Sequence, residues 1–164
     1  MAINDRLRQQ IEQVGVHYEV LPHREVFTAQ EVARNTHVSG RLLAKPVVIR
    51  EEGGHYSMAV VNAGEHVDLA AVHRGPSGSR AQLADELELA RLFPDCEVGA
   101  MPPAGHLYGL PMYIDEEFRR HPDIYFQAGN HHEVVRMKFA DFEKVAGPFA
   151  GESSLHREPS RLWG

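Results

Sequence analysis

The stretch KPVVIREEGGHYSMAVVNA, Lys45 to Ala63, decides how this chain folds. Pro46 disfavours the helical conformation for Lys45, because its ring crowds the preceding residue. Proline is tolerated at the first residue of a strand, so PVVIRE reads as a strand from residue 46. EEGG is a turn, and YSMAVVNA returns as the hairpin partner. Two apolar runs joined this tightly commit the chain to a sheet at its centre.

Working outward, Asn4 is placed to cap a helix carrying Leu7, Ile11 and Val14 on one face and stopped at Gly15. HYEVLP reads as a short strand. TAQE, Thr28 to Glu31, fits a capping box and predicts a helix over 28–36. VDLAAVHRG, 67–75, reads as a helix or helical turn. The strongest helical pattern is SRAQLADELELARLF, 79–93, with Ser79 and Gln82 placed for a second box. PMYID, IYFQAG and EVVRMK are strand-like, and EEFRRH is one or two turns capped by Asp115. ADFEKVAG is a final helix ended by Gly147. The mixed order of strands and helices predicts one α/β domain around a mixed sheet, spanning 1–147. Residues 148–164 have no periodicity and read as a C-terminal tail.

Composition narrows the function. The chain has 164 residues, 43% of them hydrophobic, which is enough for one domain with a real core. It has no long apolar run to span a membrane and no signal-peptide core, which predicts a soluble cytoplasmic protein. The net charge of −6 argues against coating nucleic acid by bulk electrostatics. Basic residues nevertheless concentrate early, at Arg34, Arg41, Lys45, Arg50, Arg74 and Arg80. A local contact to an anion remains open. The single cysteine, Cys96, excludes an intramolecular disulfide and a multi-cysteine metal site.

Few side chains are placed for chemistry. Lys45 opens an otherwise apolar strand, so its ammonium either snorkels to solvent or anchors a phosphate or carboxylate. Most of the eleven histidines read as solvated, and HHE at 131–133 lacks the spacing of a helical zinc motif. Cys96 stands between Asp95 and Glu97, which raise a thiol's pKa and make it a structural residue. No G-x-S-x-G elbow exists, and HRGPSGSR lacks the lysine of a phosphate-binding P-loop. EVGAMPPAG, Glu97 to Gly105, is different. Gly99 permits close backbone approach, while Pro102 and Pro103 fix φ. Such a loop is either a plain turn or a main chain stiffened to meet a ligand.

Five segments together resemble a known family. LLAKPVVI at 42–49, VVNAGEHVDL at 60–69, the G-x-x-x-P pattern of Gly99 to Pro103, MYID at 112–115 and YFQAGNHHEVVRMKFADF at 125–142 occur in the order found in the YbaK/EbsC-like aminoacyl-tRNA deacylases. These are relatives of the editing domain inserted in bacterial prolyl-tRNA synthetases. Pro46 departs from the pattern, since many members carry a small or β-branched residue there. The resemblance implies a mixed, mostly antiparallel sheet surrounded by helices. It implies a metal-free hydrolase, without cofactor, that cuts the ester between a wrong amino acid and its tRNA. Lys45 would hold the 3′-terminal nucleotide. The loop of Gly99, Ala100, Met101 and Pro103 would present its backbone to the reacting carbonyl, and His131 would line the amino-acid pocket. Gly129, Asn62 and Tyr18 join the substrate-binding set through the motifs that contain them. A ribose hydroxyl of the substrate would help activate water. The expected partner is the acceptor end of mischarged tRNA, with a synthetase such as prolyl-tRNA synthetase as a further candidate. Alanine on proline tRNA is the first expected substrate and cysteine on proline tRNA the second. The competing expectation is a tRNA-end binder or synthetase accessory without catalysis.

Overall fold

The computed structural model describes residues 3–23, 29–36, 39–69 and 81–156. Its centre is the hairpin read from the sequence, β2 (Leu43–Arg50) with β3 (Tyr56–Asn62), paired antiparallel along its length. Around it run α1 (Asp5–Val14), β1 (Glu19–Pro22), α2 (Ala29–Thr36), β4 (Gln82–Leu83), α3 (Glu86–Leu92), β5 (Met112–Asp115), β6 (Asp123–Gln127), β7 (Glu133–Lys138), α4 (Phe139–Ala146) and β8 (Gly151–Ser153). Short 3-10 helices occupy Gly105–Tyr108 and Glu116–Arg120. The sheet order is β1-β7-β6-β2-β3-β5-β8, with β4 also on β2. Antiparallel pairing joins β1 to β7, β7 to β6, β2 to β3 and β2 to β4. The β6–β2, β3–β5 and β5–β8 pairs are parallel. The architecture is the mixed, mostly antiparallel single domain expected.

Alternation along β3 shows how the sheet is buried. Met58 and Val60 face a cluster with Leu7 and Ile11 of α1 and Phe142 of α4, while Ala59 and Val61 face Val67 and Leu155. Both faces are covered, so the strand is a continuous apolar run rather than an alternating one. Phe126 and Phe142 meet with ring centres 5.6 Å apart, fixing α4 against β6. Asn4 caps α1 as expected, accepting from the Leu7 N–H at 3.1 Å. Its own Nδ2 donates to the Asp95 carbonyl.

Three expectations change. Strand β2 begins at Leu43, so Pro46 is its fourth residue. Leu43 and the odd positions after it bond to β3, where Ala63 N–H donates to the Leu43 carbonyl. The imino nitrogen of Pro46 therefore faces the other edge. There β6 pairs only with 43–44 and β4 only with 49–50. No described strand pairs with 45–48 on that edge, and a proline has no donor to leave unmet there.

The helix read over 79–93 spans only Glu86–Leu92. Asp85, not Ser79, is the cap, with Glu88 returning the bond in a capping box. Residues 82–84 are drawn instead onto the edge of β2, where Ala84 N–H donates to the Val48 carbonyl at 2.9 Å. Ser79, Thr28 and most of 67–75 lie outside the described residues. Finally, 148–156 is not a trailing tail. Gly151–Ser153 adds a strand beside β5, and Leu155 is 1% exposed. Leu155 N–H and His156 N–H both donate to Asp115, as does His156 Nδ1–H at 2.7 Å. That bond to Asp115 raises the pKa of His156 above its ordinary value. A three-residue strand is too short to carry periodicity, so sequence could not show it.

Candidate functional site

The gap along β2 opens into a cleft of about 580 Å³. Lys45, Pro46 and Val48 form one wall. His66 and Leu69 follow β3, and Leu89 comes from α3. Gly99, Met101 and Gln127 close the other side. The cleft thus runs where β2 parts from β6 and has not yet met β4.

Lys45 is half-buried at its margin. Its Nζ donates to the Glu65 carbonyl at 2.6 Å. Among the described residues its other two donors have no partner. Burial pushes the ammonium's pKa below the usual lysine range, opposed by the nearby Glu65 charge. An anion placed beside it recovers the lost hydration. The position of the Glu65 carbonyl comes from Asn62. The Asn62 side-chain oxygen accepts from Gly64 N–H at 3.0 Å and its carbonyl from Glu65 N–H at 3.0 Å, closing the turn. Asn62 is buried, absent from the cleft lining, and acts on Lys45 through this turn.

The loop after α3 is tied down on its far side. Glu97 N–H donates to the Gly129 carbonyl at 2.8 Å, and Gly129 N–H donates to the Ala100 carbonyl at 2.7 Å. The Glu97 carboxylate accepts from His131 N–H at 2.6 Å, and His131 Nε2–H donates to the Val98 carbonyl at 2.8 Å. Pro102 and Pro103 are buried. The prolines and these bonds fix the main chain without using all of its donors. Ala100 N–H is taken by Glu97. Among the described residues, nothing accepts from the N–H of Gly99 or Met101, and both of these residues line the cleft.

The expected site residues therefore divide. Lys45, Gly99 and Met101 come together on the cleft. Ala100 is fully buried with its amide spent. Pro103 is buried and fixes φ within the loop. His131, 4% exposed, stands behind the loop rather than in the cleft lining, and Gly129 completes the same clip. Tyr18 packs against the main core ahead of β1 and does not line the cleft. None of these five is among the residues lining the cleft: the amides of Ala100 and Gly129 and the His131 ring are bonded within the loop, Pro103 is buried, and Tyr18 is partly buried against the core. Arg50 pairs with Glu88 at 3.1 Å, and Arg74 and Arg80 lie outside the described residues.

Three participants were not picked out from sequence. Glu97 is the carboxylate of the clip. His66 lines the cleft and was hidden among eleven histidines. Gln127 ends β6 inside the cleft. Its signal was a polar residue closing an apolar strand. Elsewhere, ligand atoms of Asp115, Glu117 and His156 lie within 4.8 Å of one another. Asp115 Oδ2 already accepts from Leu155 and His156, and Oδ1 from Glu117 N–H, so this cluster secures 151–156 to the fold. Cys96 is half-buried, and burial pushes its thiol up to about 11, the inert direction.

Gly129 tests the clip. Its φ is +107°, and an added Cβ would stand 2.9 Å from the Asn4 Cβ. Gly129→Ala is expected to cost about 1–3 kcal/mol of stability through backbone strain and a displaced helix cap. Urea denaturation measures it, and an unchanged midpoint would mean that the loops yield freely.

The model of the aminoacyl-tRNA editing domain matches residues 23–145. The multifunctional Ser/Thr-tRNA deacylase ProXp-y of Escherichia coli K12 is 29% identical over 152 residues, covering 88% of this chain and 89% of that protein. Among solved structures, one described as a candidate trans-editing enzyme for prolyl-tRNA synthetase superposes with a TM-score of 0.76 at 23% identity, covering 93% and 96% of the two chains. Another, from work on epitope grafting onto scaffold proteins, gives 0.79 at 24% identity, covering 94% and 97%. These two likenesses establish the fold.

Proposed function

The chain belongs to the aminoacyl-tRNA editing domain family, the deacylases of charged tRNA, and from that premise we propose that the cleft beside Lys45 is where the ester is cut. The observation that carries this is the meeting of one half-buried ammonium with two unspent backbone amides around a single cleft. Lys45 binds a phosphate of the terminal nucleotide. Water attacks the ester carbonyl carbon, and the amides of Gly99 and Met101 receive the developing oxyanion. The free ribose hydroxyl beside the ester positions the water and relays its proton. The acyl C–O bond then breaks, and the ribose oxygen leaves with a proton. A free amino acid and uncharged tRNA result. His131, Gly129 and Glu97 hold the loop for this step, and Asn62 holds the partner of Lys45.

The amino acid is small. The resemblance alone puts alanine and then cysteine on proline tRNA first. The relative named for Ser/Thr-tRNA moves serine and threonine ahead of them. Incubation with seryl-, threonyl-, alanyl- and cysteinyl-tRNA, with and without EDTA, tests the assignment. Ester loss insensitive to chelator is expected. No loss from any of the four would leave a tRNA-end binder, and loss abolished by chelator would demand a metal. A cytoplasmic setting follows from the substrate. Docking on prolyl-tRNA synthetase belongs to the same proposal, and co-sedimentation checks it.

Lys45→Ala is expected to lower kcat/KM on the order of 10- to 100-fold, chiefly through KM, since a charge-assisted bond contributes about 1.5–3 kcal/mol. Wild-type kinetics in this variant would make Lys45 a strand-end lysine only.

A further inference from the structure

Gln127 is an anomaly in this cleft. It is 9% exposed, and its Nε2 is buried without a hydrogen-bond partner among the described residues. A buried amide left unmet costs stability, and a ligand that accepts from it removes that cost. Its placement is specific. Alternation puts Tyr125 and Gln127 on one face of β6, and Leu43 and Lys45 on the same face of β2. Leu43 pairs with Tyr125 and Ala44 with Phe126 in the parallel register, so Lys45 and Gln127 stand where the next rung would fall. The strands part there. Gln127 and Lys45 thus stand on facing strands where the opening begins, and both residues line the cleft.

We infer that Gln127 reads the amino acid, its carboxamide N–H donating to the side-chain hydroxyl oxygen of a seryl or threonyl ester. The inference rests on the deacylase proposal for this cleft and adds to it a residue that sets specificity. An alanyl ester has no acceptor for this donor, and a cysteinyl ester has only a weak one. A site built to bond a hydroxyl discriminates against a substrate lacking it far more strongly than a pocket selecting by size.

The test compares single-turnover deacylation of seryl- and alanyl-tRNA by the wild type, Gln127→Met and Gln127→Asn. Methionine keeps much of the volume and removes the donor. Asparagine keeps the carboxamide one methylene short. The expected result is a seryl-to-alanyl rate ratio falling on the order of 10- to 100-fold in Gln127→Met, and by less in Gln127→Asn. Alanyl-tRNA turnover falls by less than seryl-tRNA turnover, and the melting temperature does not fall, because an unmet buried group has been removed. An unchanged ratio in both variants, with the wild type active, overturns the role of Gln127 and leaves the deacylase proposal standing. A wild type inactive on every charged tRNA overturns both.

Discussion

Removing the free hydroxyl of the terminal ribose, beside the esterified one, is expected to slow deacylation on the order of 100- to 10,000-fold while tRNA still binds. The attacking water needs a group to take its proton. Lys45 and His66 are the titratable side chains among the described residues lining the cleft. The Lys45 ammonium carries no lone pair and is held by the Glu65 carbonyl. The substrate's own hydroxyl lies next to the reacting carbon and needs no residue to bring it there. His66 is the rival. Single-turnover rates on tRNA ending in a deoxy sugar, set beside those of His66→Gln on normal tRNA, separate the two. Full activity on the deoxy substrate with a large loss in His66→Gln would transfer the base to His66 and reject the substrate-assisted step.

Gly99→Val is expected to lower kcat on the order of 100-fold with KM little changed. Gly99 has φ of +87°, a region that a β-branched residue adopts only under strain. An added Cβ would lie 3.7 Å from the His131 ring, an ordinary contact, so the backbone angle and not a clash at Cβ is the difficulty. Relief of that strain rotates the peptide units around 99 and displaces the two unspent amides. Losing one oxyanion donor raises a barrier by about 3 kcal/mol. The loss appears in kcat because the oxyanion exists only in the transition state. A matched fall in kcat and in denaturation midpoint would signal unfolding instead. A variant with wild-type kcat would show that these amides do not meet the reacting carbonyl.

Much of this molecule is legible locally. The α1 cap at Asn4, the turn at 51–54 and the stop at Gly147 follow from residue chemistry within a few positions. Lys45 and the Gly99 loop also stand out, because an ammonium on an apolar strand and a proline pair after a glycine both break local rules. What stayed hidden depends on contacts between distant segments. Ser79–Gln82 and Asp85–Glu88 offer equivalent capping patterns. Only the unpaired edge of β2 decides between them, by drawing 82–84 into a ladder. His131 resembles a pocket residue in a glycine-rich turn until Val98 and Glu97 are found against it.

The sequence by itself determined the hairpin, the helices' apolar faces, the lysine on its strand and the stiffness of the loop after α3. Each follows from dihedral preference or from the period with which apolar residues recur, and both are properties of neighbours along the chain. Tertiary structure alone decided that the edge of β2 away from β3 would carry no described strand along residues 45–48. It also decided that Gln127 would end at that opening with its amide unmet among the described residues, and that 151–156 would be pinned to Asp115. These depend on which strand edges are left over once the sheet is assembled, and pairing over distances such as 40 residues between Asp115 and Leu155 leaves no local trace.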